Sequence, residues 1–161
     1  MKILHKGAEA ILYKEDNNLI KERITKGYRH KVIDKNKTKY PTRREFKLLT
    51  KAKDLINVPN PIKVEENNSK IVMEYLKGDL LKTTLGTYNK NKREKVAKLI
   101  GEQIALMHDN DIIHGDLTTS NMILKDNKVY FIDFGLGKIS HKLEDKATDL
   151  KLLQQAFESK H

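Results

Sequence analysis

The chain has 161 residues, enough for one compact unit with a sizeable core, and its lack of cysteine excludes disulfides and thiolate metal sites and points to a reducing, cytoplasmic setting. With 32 Lys and Arg against 22 Asp and Glu it carries a net charge of +10, which suits an acidic partner such as nucleic acid, although only five of the cations are arginine. Its start, Met1-Lys2-Ile3-Leu4-His5-Lys6, is too short and too charged for a signal peptide, and no apolar run approaches the ~20 residues that cross a bilayer, so no membrane role is expected.

Strands are expected at Ile3 to Lys6, Ile11 to Glu15 and Leu19 to Ile24, separated by Gly7-Ala8-Glu9-Ala10 and by an Asp16-Asn17-Asn18 turn. Phe46, Leu48, Leu49 and Ala52 recur at helical spacing within Pro41 to Leu55, with Pro41 and Thr42 as the start. A strand pair, Ile62 to Glu66 and Lys70 to Tyr75, closes across Asn67-Asn68, and Glu74-Tyr75-Leu76-Lys77-Gly78 reads as a linker with a glycine hinge. Beyond it, Val96, Leu99, Ile100, Ile104 and Met107 stripe a helix from Lys92 to Asp109. Ala147, Leu150, Leu153, Ala156 and Phe157 do the same for Glu144 to Phe157. The fold expected is α+β with two lobes: a β-rich one with one main helix (residues 1–75) and a reduced helical one (residues 76–161), with nucleotide in the cleft between them.

The chemistry concentrates in His114-Gly115-Asp116-Leu117-Thr118-Thr119-Ser120-Asn121, followed by Ile132-Asp133-Phe134-Gly135. Asp116 on a loop suits orientation of an attacking oxygen, while Asn121 and Asp133 offer hard oxygen ligands for Mg²⁺. Asn121 to Leu124 and Lys128 to Ile132 read as strands around an Asp126-Asn127 turn, a hairpin that returns Asn121 and Asp133 to one end. Together these groups imply phosphoryl transfer from ATP with Mg²⁺. Lys21, near the middle of the third strand, is the candidate for phosphate charge, and Glu45 on the following helix is its natural holder. Gly7, Ala8 and Glu9 form a poor phosphate loop, with one glycine where three are usual. Backbone groups of Glu74 and Leu76 are expected at the adenine edge; His114 orients the loop through hydrogen bonds, and His108 reads as a packed or capping residue.

The chain resembles the small atypical kinase or ATPase subunit of the KEOPS (EKC) complex, the PRPK-like family. The resemblance is carried by Gly7-Ala8-Glu9-Ala10, Ile20-Lys21-Glu22-Arg23, Lys26-Gly27-Tyr28-Arg29-His30, Arg43 with Glu45, and Met73-Glu74, then by the octapeptide from His114, Ile132 to Gly137, and Glu144 to Leu150. It implies a minimal two-lobed kinase fold that binds ATP and Mg²⁺, acting as an atypical Ser/Thr protein kinase and as an ATPase supporting threonylcarbamoyl (t6A) modification of tRNA. It also implies partners: the KEOPS threonylcarbamoyl-transferase subunit, a small subunit on the N-lobe, and tRNA. Residue by residue, Lys21 and Glu45 match the phosphate lysine and its anchor, Asp116 the catalytic aspartate, Asn121 and Asp133 the metal ligands. Asp149 matches the aspartate that braces the catalytic loop.

Gly115 stands where ordinary protein kinases place an arginine that reads a phosphorylated loop, so control of that kind is not expected. Family members continue past the position of His161 with a further helix and a basic tail. The basic stretch from Lys26 to Arg44 offers tRNA phosphate contacts through Lys26, Arg29, Lys31, Lys35, Lys37, Lys39, Arg43 and Arg44. Aromatics at 6%, with no tryptophan, argue against a pure RNA-binding module. The alternative reading is a catalytically silent scaffold that binds ATP to hold its shape.

Overall fold

The computed structural model describes residues 1–24, 38–65, 67 and 69–160. Five antiparallel strands make the first sheet: β1 (Lys2–Lys6), β2 (Ala10–Glu15), β3 (Asn18–Arg23), β4 (Pro61–Glu65) and β5 (Lys70–Glu74), in the order β1-β2-β3-β5-β4. The β2–β3 turn uses Asp16 at φ 52°, a left-handed conformation that Asp tolerates better than most residues. Lys21 therefore sits on an inner strand, opposite Leu12 of β2 and Ile71 of β5.

Helix α1 (Lys39–Ala52) packs on β4 and β5 through Thr42, Leu48, Leu49 and Ala52, and Glu45 lies on the same buried face. It begins at Lys39, ahead of the expected Pro41. First-turn amides have no partner inside a helix, so Pro41 sacrifices no bond there. Thr42 then ties that turn, its hydroxyl and amide donating to the Thr38 carbonyl at 2.7 and 3.1 Å.

The remaining elements are β6 (Asp79–Leu80), α2 (Leu81–Thr84), α3 (Lys90–Asp109), β7 (Ile112–Ile113), β8 (Met122–Lys125), β9 (Lys128–Phe131), β10 (Lys138–Ile139) and α4 (Leu143–Lys160). β6, β8 and β9 form one antiparallel sheet, and β7 pairs with β10. Asn89 caps α3, its side-chain oxygen accepting from the Lys92 amide at 2.9 Å, so the helix starts two residues before the apolar stripe suggests. The β8–β9 turn has Asp126 and Asn127 both at positive φ, the twist a two-residue hairpin needs. Among the described residues no helix is long and apolar enough to cross a membrane.

One hydrophobic core runs through the molecule, from Leu48, Leu49 and Ala52 of α1 through Ile71 and Met73 to Ile100, Met107, Phe131, Phe134 and Leu153. A polar lock reinforces it. Asn57, just after α1, donates its amide to Gln103 Oε1 of α3 at 2.7 Å, and its carbonyl accepts from Phe131 of β9 at 2.9 Å. Gln103 Nε2 closes the ring on the Val129 carbonyl at 2.7 Å.

Two expectations shift. The inward face of α4 centres on Asp149 and Leu153, whereas Ala147 and Leu150 of the expected stripe are exposed. The helix is rotated so that a carboxylate, not an apolar side chain, meets the loop beneath it. Gly78 is a close-packing residue rather than a hinge: a Cβ there would come within 2.5 Å of the Leu124 carbonyl on β8.

Candidate active site

Strand alternation sends Lys21 and Arg23 to the same face of β3, toward α1. Glu45, only 1% exposed, receives both: Lys21 Nζ donates to Oε1 at 2.9 Å and Arg23 Nη2 to Oε2 at 2.8 Å. A carboxylate so buried needs such pairing. Lys21 also donates to Asp133 Oδ1 at 2.6 Å, which joins the β3 lysine to the far wall of the cleft. Asp133 has φ 61° and a half-exposed carboxylate, and its Oδ1 also accepts from the Gly135 amide at 3.2 Å. Partial burial pushes its carboxyl up, but the charge and hydrogen bond of Lys21, the Gly135 amide and the Arg23 charge outweigh it and hold it below the usual carboxylate range.

The loop from His114 to Asn121 is wired from below. Asp149 on α4 is 1% exposed; its Oδ2 accepts from the His114 amide at 2.8 Å and its Oδ1 from the Gly115 amide at 2.9 Å. His108 of α3 adds an Nε2 contact to Asp149 Oδ2 at 3.1 Å. Gly115 has φ +81°, and a Cβ there would lie 2.3 Å from the Leu136 carbonyl oxygen, so both backbone angle and space demand glycine. His114 is fully buried against Phe134, with ring centroids 4.6 Å apart. Its Nε2–H donates to the Ile132 carbonyl at 3.0 Å and its Nδ1 accepts from the Asp116 amide at 3.3 Å, one tautomer satisfying both. Burial pushes the imidazole pKa down, against the upward pull of Asp149, the Ile132 carbonyl, Asp133 and Asp116.

Asn121 Nδ2 donates to the Asp116 carbonyl at 2.9 Å and to Asp116 Oδ2 at 2.8 Å. Those two bonds fix Asp116 and direct the other atom of the Asn121 amide, its oxygen, to remaining partners. The Asn121 carbonyl accepts from the Ile132 amide at 3.0 Å, so the hairpin does return Asn121 to the residue beside Asp133. An amide oxygen and a half-exposed carboxylate are the donors a hard divalent cation takes, and this pair fits Mg²⁺ chemically.

A cleft of about 660 Å³ lies above these groups, lined by Gly7, Ala8 and Glu9 together with Lys21, Arg23, Asp133 and Gly135. The one-glycine loop thus faces the same space as the lysine and the aspartate, closed by a Gly7 amide to Ala10 carbonyl bond of 2.9 Å. Asp116, Asn121, Glu74 and Leu76 lie outside that lining. Glu74 ends β5, its side chain held by Lys125 Nζ at 3.1 Å and its amide by the Asn60 carbonyl at 2.9 Å, while Leu76 is buried.

Of the basic stretch, Lys26, Arg29, Lys31, Lys35 and Lys37 lie outside the described residues, as do Tyr28 and His30. Arg43 and Arg44 line a groove of about 600 Å³ with Lys47, Lys51 and Lys138. Arg44 also donates to the Gly135 carbonyl at 3.0 Å, joining α1 to the segment after Asp133. Sequence reasoning passed over Arg23 and the contact from His108 to Asp149. The first was discoverable, since two residues along a strand is one face; the second required the α3–α4 crossing.

Comparison with known proteins agrees with this geometry. The RIO domain family model matches residues 3–158. The chain is 43% identical over its full length to the KEOPS complex subunit Bud32 of Pyrococcus abyssi, covering 78% of that protein. It is 40% identical to the EKC/KEOPS complex subunit bud32 of Dictyostelium discoideum, over 99% of this chain and 68% of the relative. It also resembles, at 42% identity, a Methanocaldococcus jannaschii protein named "Probable bifunctional tRNA threonylcarbamoyladenosine biosynthesis protein", of which it spans 30%. Among solved structures, WbdD in complex with the kinase inhibitor LY294002 superposes with a TM-score of 0.73 at 19% identity, over 96% of this chain and 37% of that one, a likeness of fold. A two-lobed kinase-like α+β architecture, a RIO-domain match over nearly the whole length and full-length similarity to KEOPS subunits converge: the chain belongs to the Bud32 family of RIO-domain proteins.

Proposed function

We propose that the chain is the Mg-ATP-dependent phosphotransferase of a KEOPS-type assembly, acting as an ATPase and atypical Ser/Thr kinase in support of t6A modification of tRNA. The observation that carries this reading is the continuous chain of contacts from Glu45 through Lys21 to Asp133, with Asp116 and Asn121 bonded to each other on the adjoining loop. Lys21 offers its ammonium to nucleotide phosphates, and Glu45 limits where that ammonium can go. Asp116, held by Asn121, orients the acceptor oxygen, a water or a protein hydroxyl, for in-line attack. Asn121 and Asp133 would hold Mg²⁺, which when bound neutralises charge on the phosphates. Glu74 and Leu76 supply backbone groups to the adenine edge, and Gly7 to Glu9 cover the phosphates.

The relatives' names support a place in a KEOPS-type assembly; the partners proposed there are a threonylcarbamoyl-transferase subunit and a small subunit on the N-lobe. The groove lined by Arg43, Arg44, Lys47, Lys51 and Lys138 is the described surface best suited to a tRNA backbone. A silent ATP-binding scaffold is the second reading, favoured by the Lys21–Asp133 pair, which occupies both groups with each other.

Turnover of γ-labelled ATP with Mg²⁺, with and without the transferase subunit and tRNA, separates these readings. Free phosphate that rises with the partner and disappears in Asp133→Ala supports the ATPase. Label retained on protein supports the kinase. Tight nucleotide binding without turnover under every condition leaves the scaffold.

A further inference from the structure

His5 is a titratable group over the cleft to which the reading above gives no role. Strand β1 pairs Ile3 with Tyr13 and His5 with Leu12, so Leu4 is an extra residue, a β-bulge. Without it Leu4 would stand opposite Leu12, and His5 would fall on the outer face of the sheet. Leu12 in turn stands opposite Lys21, and residues directly opposite on antiparallel strands share a face. The bulge therefore puts His5, Leu12 and Lys21 in one row, and all three line the cleft. Ile11 and Tyr13, of the other parity, line a separate pocket instead.

The imidazole lies against the loop: its Nε2 is 3.4 Å from where a Gly7 Cβ would stand. His5 and Lys21 are two strand spacings apart, about 10 Å, so side chains reaching from both ends of the row can meet one triphosphate. The charged groups that share this cleft are Glu9 of the loop, Lys21 and Arg23 of β3, Arg44 of α1, and Asp133. Protein oxygens hold all three cations, Lys21 through Asp133 and Glu45, Arg23 through Glu45, and Arg44 through the Gly135 carbonyl. His5 has no such hold among the described residues. The lining is thus positive on balance, and a protonated imidazole at its rim can donate a charge-assisted hydrogen bond to a phosphate oxygen.

We propose that His5 is a phosphate ligand of the nucleotide, its protonated imidazole donating from the outer end of the row to the phosphates that Lys21 meets from the inner end. The proposal rests on the nucleotide-binding reading above and gives that site a pH dependence. The protonated form binds, so affinity falls as pH rises through the titration of the imidazole.

The test compares wild type, His5→Gln, His5→Lys and His5→Phe in the full chain between about pH 6 and 8. A fluorescent ATP analogue, displaced by ATP or by adenosine, reports affinity, and thermal unfolding at each pH checks that every variant is folded. ATP gains charge of its own across this range, so the readout is the difference between each variant and wild type. His5→Gln is expected to weaken ATP binding about 5-fold at the acid end, the scale of an exposed ion pair, with the gap closing at the alkaline end. His5→Lys should hold the acid-end affinity of wild type throughout, and adenosine should bind all four chains alike. A gap that does not change with pH, a His5→Phe chain that binds ATP as wild type does, or an equal loss for adenosine would make His5 a base-stacking or merely structural residue and overturn the proposal. Wild-type protein that binds no ATP, alone or in the assembled complex, would overturn the function reading and this proposal with it. ATP binding that no His5 variant alters would sink only the proposal.

Discussion

Asp149 and His114 are 35 residues apart in sequence, yet the Asp149 carboxylate accepts from the His114 backbone amide at 2.8 Å. The same carboxylate takes the Gly115 amide, so one helix side chain sets the backbone of the loop that carries Asp116. Asp149→Asn replaces an acceptor oxygen with a donor facing an amide N–H. The substitution should cost about 3 kcal/mol of stability, in the range for breaking a buried charged network, and lower turnover more than nucleotide affinity. Chemical denaturation and a kcat-against-KM comparison would show it; unchanged turnover would remove Asp149 from the loop's support.

Acidification should destabilise the protein through His114. In the unfolded chain its imidazole takes a proton near pH 6.5, whereas burial lowers its pKa in the folded state. The stability it contributes is therefore full above about pH 6.5 and is lost as pH falls from there toward the folded pKa. Unfolding temperatures measured between pH 7.5 and 5 should fall, with a shallower slope in His114→Asn.

Gly115→Ala should be among the most damaging single-methyl changes in the chain. It must abandon φ +81° or push away a backbone oxygen 2.3 Å from the new carbon, and strain of this kind costs about 1–3 kcal/mol. Gly101 is the control, because a Cβ there meets nothing within 4 Å and Ala favours helix. Gly101→Ala should be neutral or stabilising, and comparable losses in the two variants would contradict the packing argument.

Gln103→Leu should separate the two halves of the polar lock. It leaves the Asn57 backbone amide without its partner, while the Val129 carbonyl keeps the Asn57 side-chain amide at 3.3 Å, so the expected cost is about 1–3 kcal/mol in all. Asp133→Ala, by contrast, should remove activity at a smaller stability cost, because Lys21 keeps Glu45 as a partner and the Asp133 side chain is half exposed.

The sequence made the long elements and the site legible for separate reasons. Apolar spacing located α1 and α3 because both bury a continuous stripe, and Asp126-Asn127 specified the β8–β9 turn because few residue types tolerate its left-handed angles. Residue type and order single out Lys21, Asp116, Asn121 and Asp133 as candidates, and the structure pairs Lys21 with Asp133 and Asn121 with Asp116. β6, β7 and β10 were missed because two-residue strands have no period of their own and exist only through their partners. The rotation of α4 was hidden for a related reason: its anchor is Asp149, a carboxylate that a hydrophobic pattern assigns to solvent. The groove lined by Arg43, Arg44, Lys47, Lys51 and Lys138 needed coordinates, since Lys138 joins it only when the segment after Asp133 folds back beside α1.

The lock at Asn57 ties the end of α1 to α3 and to the strand that leads into Asp133. Hinging Glu45 away from Asp133 would therefore break the bonds that Asn57 makes with Gln103 and Phe131. Strand β1, by contrast, has no buried residue, and it leads directly into the Gly7–Ala10 loop over the cleft. The molecule thus resembles a bench beneath a light awning: lifting β1 from over the cleft would uncover less buried structure than parting the lobes at the Asn57 lock.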